Sequence, residues 1–330
     1  MSIPANTHAR PVAILALVIA SACWGLSFPV MHALLMAQSN LLPGVSSWFL
    51  SSWCLTLRFL IAALLVGTWY LCQGQLRGWT RLEIAQAVGL GIFTACGMLL
   101  QMDGLSYTSA SSSAFITQSY CFFLPVFFAL RDRRLPRWPV MLGCLLVLLG
   151  IGILSGVDLR NMVLGRGEWE TLGAAVFFSA QIMWTELPHY ASNHVGRVSA
   201  LAFTITGALL IPIVASTAPS ASALIEVYSS GPLLSCLAML TLMCTLTGMV
   251  LMFTFQRSVG ALSAAVIYCT EPLFASGLAF VLPVLLSGLL GISYANEHMT
   301  TSLLIGGLLV IAANLIVQIK PGEKPSSPAK

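Results

Sequence analysis

Charge is scarce in this 330-residue sequence: Asp, Glu, Lys and Arg make up 8% of it, against about 25% in soluble globular domains. A fold of this length cannot cover itself in water with so few charges, which excludes a cytosolic enzyme and a nucleic-acid binder. Paired thiols are missing as well. The nine cysteines include no C-x-x-C pair and are odd in number, so neither a zinc site nor a disulfide framework is indicated. No N-x-S/T acceptor, H-E-x-x-H, P-loop or catalytic-triad signature occurs. No enzyme, metal or cofactor is therefore expected. What the chain has in excess is apolar: 58% of its residues are hydrophobic and its mean hydropathy is +0.90. Lipid must solvate most of it.

A bilayer span takes about 20 apolar residues, and long uncharged runs give ten of them. They fall at 11–37, 51–72, 83–103, 108–130, 138–155, 171–190, 198–215, 232–256, 260–283 and 302–319. The apolar stretch of span nine continues past Pro283 through Leu290, as a short interfacial helix would. The run from Pro11 to Met36 is longer than the roughly 7–15-residue core of a cleaved signal, so a permanent first span is expected. With the N-terminus inside and ten spans, twelve of the fifteen Lys and Arg fall in inner segments, among them Arg77, Arg81, Arg197 and Arg257. Only Arg160 and Arg166 fall outside, and Arg58 lies within span two. The positive-inside rule selects this orientation, with both termini cytoplasmic.

The two halves echo each other. Leu142-Gly-Cys-Leu-Leu-Val-Leu-Leu-Gly150 in span five matches Ile305-Gly-Gly-Leu-Leu-Val-Ile-Ala-Ala313 in span ten. Ser21-Ala-Cys-Trp24 with Pro29 in span one parallels Ser179-Ala-Gln-Ile-Met-Trp184 with Pro188 in span six, and Thr117-Gln118 aligns with Thr270-Glu271. A repeat of five spans re-enters the membrane from the opposite side, which makes an inverted pair. The expected fold is an all-α polytopic membrane protein of ten transmembrane helices, arranged as inverted five-helix repeats over residues 1–155 and 156–330.

Several motifs carry a family resemblance. Cys23-Trp24-Gly25-Leu26-Ser27-Phe28 resembles a W-G-x-x-F opening, and Leu57-Arg58-Phe59-Leu60-Ile61-Ala62 resembles R-F-x-x-A. Gly104-Leu105-Ser106-Tyr107-Thr108-Ser109-Ala110 is similar to a short turn into span four. Glu271-Pro272-Leu273-Phe274 is similar to an E-P motif, and Asn296-Glu297-His298-Met299-Thr300 to an E-x-x-T lead into span ten. Together they resemble the ten-helix EamA-type members of the drug/metabolite transporter superfamily, over residues 11–320. The resemblance implies a helical bundle with a central cavity that exports or exchanges small metabolites. Where that family often has a glutamate before span five, this chain has Arg131-Asp132-Arg133-Arg134.

Glu271 is the sharpest site candidate. It lies about 16 Å along span nine from Gly260 at 1.5 Å per residue, and a mid-membrane acid needs the bundle interior or water around it. Pro272 cannot donate to the carbonyl of Tyr268, so a free acceptor is expected at the same depth. Such a pair could hold an amino group or a proton, or serve only as interhelical glue. Arg58 suits a substrate carboxylate, or alternatively an ion pair with Asp103 or snorkelling. Trp24 and Trp184 stand mid-span at matching places, either in a substrate wall or in core packing. Gln118, aligned with Glu271, could offer an amide to a substrate across the pseudo-two-fold. Glu186 and His189, one helical turn apart, are candidates for a gate or proton relay, and an interfacial pair is the duller reading.

The expected function is alternating-access transport of a small metabolite in a bacterial cytoplasmic (inner) membrane. Efflux of an amino acid or related amphiphile fits, coupled to protons or running as exchange. A nucleotide-sugar or phosphometabolite antiporter is an alternative, but it needs several cations in the cavity and only Arg58 is available. A non-transporting scaffold or receptor is another, though it has no use for buried acids and mid-helix prolines. Expected partners are the small-molecule substrate and the bilayer, with no nucleic acid, and the bundle is compatible with a homodimer.

Overall fold

The computed structural model describes residues 9–131, 138–154 and 164–318. Asp132, Arg133, Arg134, Arg137 and the 155/156 repeat boundary lie outside these residues. Among the described residues every regular element is helical. The helices are α1 (Ala9–Leu41), α2 (Ser47–Cys72), α3 (Arg81–Gly104), α4 (Ala110–Thr117), α5 (Tyr120–Arg131), α6 (Trp138–Leu154), α7 (Arg166–Thr185), α8 (Val195–Thr217), the single turn α9 (Ala223–Glu226), α10 (Gly231–Met239), α11 (Gly248–Val259), α12 (Ala261–Tyr268), α13 (Glu271–Ala279), α14 (Leu282–Leu290) and α15 (Thr301–Gln318). A π-helical stretch, Leu240–Thr247, joins α10 to α11.

Among the described residues helix covers most of each of the ten apolar runs read from the sequence, and five helices are long and apolar enough to cross a membrane alone: α1, α2, α3, α8 and the continuous Gly231–Val259. The rest depart for local reasons. Helix α7 begins with Arg166, Glu168 and Glu170, which lowers its hydropathy. The run 108–130 breaks between α4 and α5, where the amides of Gln118 and Ser119 bond three residues back, to Phe115 and Ile116, instead of four. The run 260–283 breaks at the matching place, Cys269–Thr270. There Pro272, at the start of α13, has no N–H for the carbonyl four residues earlier. The apolar extension past Pro283 is α14, bent by 57° from the preceding helix.

Packing is pairwise. Helix α2 lies along α8, α6 along α15, α3 along α7, and α1 along α11 and α13; α4 meets α13 while α5 meets α12. One contiguous apolar core runs through the bundle, with Leu17, Phe28, Phe49, Leu90, Met102 and Phe203 fully enclosed. The periphery is as apolar as the interior: Leu64 is 68% exposed and Trp69 65%. An aqueous surface rarely tolerates such contiguous apolar patches, whereas acyl chains solvate them.

Polar clusters hold the two ends. At one end Arg197 pairs with Glu83 at 2.7 Å and donates to the Arg77 carbonyl at 2.6 Å. Glu83 also closes a capping box with Thr80 at the start of α3. Arg257 donates to the Thr185 carbonyl and lines one cavity with Gln86, Asn193 and Val195 from the same end of α3 and α8. We call this the arginine end. At the opposite end Arg166 bridges Asp103 and Glu170 and stacks over Tyr107.

The contact between α6 and α15 depends on two glycines facing each other. A Cβ at Gly306 would lie 2.8 Å from the Gly150 carbonyl oxygen, and one at Gly150 would lie 2.9 Å from that of Gly306. Gly306→Val should therefore lower stability by about 1–3 kcal/mol through overpacking, read as a drop in Tm in detergent. Gly277→Ala, with nothing within 4 Å of its added methyl, should leave Tm unchanged or slightly raised.

Candidate functional site

Helices α1, α2, α3, α4, α5, α7, α11, α12 and α13, with the π-helical stretch, surround a central cavity with about 70 Å³ open to the centres of water molecules. One water needs about 10–15 Å³ by this measure, so the space suits several waters or a small organic group. The walls divide by chemistry. Thr94, Gln101, Thr117, Gln181 and Ser27 are polar; Met98, Met249, Met252, Phe178 and Ile182 are apolar; Trp24, Tyr120 and Tyr268 are amphipathic. Among the described residues Cys244 and two charged side chains, Arg58 and Glu271, complete the lining.

The break between α12 and α13 positions Glu271. As the first residue of α13 it points into the bundle and is 5% exposed. Gln118, at the matching break between α4 and α5, donates from Nε2 to Glu271 Oε2 at 3.2 Å. The same amide lies 3.2 Å from the Tyr120 hydroxyl. The amide read from the sequence as facing a substrate is instead bonded to the carboxyl at the aligned position. Gly25 on α1 allows the close approach: a Cβ there would fall 3.0 Å from the Glu271 carbonyl oxygen and 2.7 Å from Phe274 Cβ.

Arg58 is 2% exposed. Its Nε donates to Thr245 Oγ1 and its Nη1 lies 3.5 Å from Met31 Sδ. The ion pair with Asp103 weighed from the sequence does not form, because Arg166 takes that carboxylate. Snorkelling is equally absent at this burial. Among the described residues no acid pairs with Arg58. A buried guanidinium held only by neutral groups is energetically unfavourable, since removing a charge from water has a large desolvation penalty.

Tyr268 is enclosed, donates to Gln256 Oε1 at 3.2 Å, and meets Trp24 edge-on with ring centroids 5.2 Å apart. Gln256 in turn donates to Glu186 Oε1 at 3.2 Å and to the Ile182 carbonyl at 3.1 Å. Glu186 is therefore tied to the cavity wall through two side chains. His189 is not brought to it. Helix α7 ends at Thr185, Leu187 turns extended ahead of Pro188, and His189 sits exposed against the Tyr190 ring, centroids 4.1 Å apart. The one-turn spacing expected of the pair requires a helix that does not continue. Trp184 also stays off the cavity: its Nε1 donates to the Gln86 carbonyl at 3.2 Å among Phe93 and Tyr190.

Sequence reasoning passed over Thr94, Gln101, Thr117, Tyr120, Gln181 and Gln256. The signal was present: Thr94, Met98 and Gln101 recur at i, i+4, i+7, one face of a helix. Among the described residues no three His, Cys, Asp or Glu side chains converge.

An all-helical bundle with a lipid-compatible exterior and a polar, charge-bearing interior has the architecture of a multi-pass membrane protein. Comparison points the same way: residues 11–156 match the EamA-like transporter family. Over 311 residues, 94% of this chain and 87% of the relative, it is 26% identical to a protein of Archaeoglobus fulgidus described as an uncharacterized transporter. A solved crystal structure of a protein shares the fold, with a TM-score of 0.61 at 15% identity over 93% of this chain and 96% of the other.

Arg58→Met, which keeps the length and deletes the charge, should leave Tm unchanged or raised in detergent, because well-packed apolar replacements of buried charges are often neutral or stabilising by about 1–4 kcal/mol. Transport by the same variant should fall by at least about tenfold, the loss of one charge-assisted contact. A matched loss of stability and transport would make Arg58 a structural residue.

Proposed function

We propose that this protein is an alternating-access exporter of small zwitterionic metabolites, amino acids or close relatives, in a bacterial cytoplasmic membrane. The observation that carries the reading is the cavity's pair of opposite charges. Arg58 offers a guanidinium with no acidic partner among the described residues, and Glu271 offers a carboxyl in the same cavity. A carboxylate and an ammonium on one ligand satisfy both. Met98, Met249, Met252 and Phe178 accommodate an apolar side chain, with Gln118 and Trp24 completing the ammonium end. A single guanidinium is too little for a nucleotide sugar or phosphorylated metabolite. A scaffold would gain nothing from an uncompensated buried cation.

The packing supports ten spans in two inverted repeats over residues 1–155 and 156–330. Numbering the spans as read from the sequence, two packs on seven, four on nine and five on ten, while one packs on eight as six packs on three. This set is unchanged when each span is exchanged for its counterpart five places on, as a two-fold axis in the membrane plane requires. Arg77, Arg197 and Arg257 gather at one end of the bundle, which supports cytoplasmic placement of that end and of both termini.

Glu271 binds the ammonium group when ionised and is released from it on protonation, which couples export to proton entry. In proteoliposomes with an imposed pH gradient and a mixture of labelled amino acids, wild type should accumulate a subset of them. Glu271→Gln should lose gradient-driven accumulation by about tenfold or more while retaining binding competition. Unchanged coupling in that variant eliminates Glu271 as the proton site.

A further inference from the structure

Trp24 and Trp184 are seated alike. Trp24 on α1 crosses α11, where a Cβ at Gly248 would lie 2.6 Å from its Nε1. Trp184 on α7 crosses α3, where a Cβ at Gly89 would lie 2.3 Å from its Nε1 and Cε2. In each case the nitrogen edge of an indole rests on a glycine of the helix it crosses, and the two crossings are counterparts under the proposed repeat. Their surroundings differ. The Trp184 N–H is bonded to the carbonyl of Gln86, three residues before Gly89, and the ring is packed against Phe93 and Tyr190. Trp24 lines the central cavity, and its N–H has no acceptor among the described residues.

The acceptor at the same offset from Gly248 is the carbonyl of Thr245. That residue lies in the π-helical stretch Leu240–Thr247, and its hydroxyl accepts from Arg58. Beyond Trp184, toward the arginine end, a second cavity with about 120 Å³ open to water centres is lined by Gln86, Tyr190, Asn193, Thr254 and Arg257. The same three helices line both spaces in series: α3 through Thr94 then Gln86, α7 through Gln181 then Thr185, α11 through Met252 then Arg257.

We infer that Trp184 and Trp24 are reciprocal gate residues: the bond from the Trp184 indole to the Gln86 carbonyl holds the arginine end closed in this state, and a bond from Trp24 to the Thr245 carbonyl closes the other end in the opposite state. The inference rests on the transport reading and adds the residues that set sidedness. Glycine is needed at both seats because any side chain there would displace the ring. The exchange also couples to the ligand site, since the Trp24 acceptor belongs to the residue that positions Arg58.

The test needs no substrate, so it is independent of whether the transported compound is an amino acid. Hydrogen–deuterium exchange of the full chain in lipid nanodiscs reads the two ends separately, through residues 81–90 and 186–198 at the arginine end and 102–110 and 165–170 at the other. Trp184→Phe keeps a ring on Gly89 and deletes the donor. It should speed exchange at the arginine end by about five-fold, the shift that one hydrogen bond of ~1 kcal/mol gives, with no rise at the opposite end. Trp24→Phe deletes a bond absent from this state and should leave the arginine end no faster than wild type. Gly89→Ala, which pushes the ring off its seat, should behave like Trp184→Phe and decides the matter where that variant does not fold. Unchanged exchange in both Trp184→Phe and Gly89→Ala, an equal rise at both ends, or opening of the arginine end by Trp24→Phe overturns the proposal.

Discussion

A guanidinium and a carboxylate kept inside a lipid-solvated bundle are the constraint on which the rest of this structure depends. Neither Arg58 nor Glu271 can stay buried among apolar side chains alone. Each is therefore surrounded by short polar groups drawn from several helices: Thr245 beside Arg58, Gln118 beside Glu271. Those groups fix which faces of α2, α4, α11 and α13 turn inward. The breaks in the helices follow from the same need. A continuous helix through residue 271 would satisfy its own backbone and turn the carboxyl wherever the helical period took it. The interruption at Cys269–Thr270 lets α13 begin at Glu271 and aim it at the cavity.

Close helix contacts make this polar interior affordable in geometry. Opposed glycines bring α6 onto α15 at carbonyl distance, and Gly25 lets α1 reach the backbone of α13. Dispersion and small-residue packing drive such contacts in lipid, where apolar burial gains little between helices.

Much of the fold was legible in the sequence because lipid imposes a strong pattern. The apolar runs and the extra helix past Pro283 followed from hydropathy, whereas Pro272 pointed only to a freed carbonyl and not to the full break at Cys269–Thr270. Gln118 and Glu271 aligned in the sequence, but their direct hydrogen bond is a finding of the structure. What was not legible depended on partners distant in sequence. Asp103 looked available to Arg58 until α7 brought Arg166 across to it. Trp24 and Trp184 looked equivalent, yet one lines the cavity and the other is hydrogen-bonded away from it. Glu186 and His189 were separated because α7 stops at Thr185, a boundary that residue spacing alone does not reveal. The uncharged polar lining of Thr94, Gln101 and Gln181 carried a helical period but no charge to draw attention.

The central claim is that one ligand bears both groups that the cavity lacks. Thermal stabilisation of the purified protein tests it directly, using each stabilising amino acid together with its decarboxylated amine and its deaminated acid. The account predicts that the zwitterion raises Tm and that removing either group abolishes the rise. Equal stabilisation by the amine or by the acid alone would contradict it.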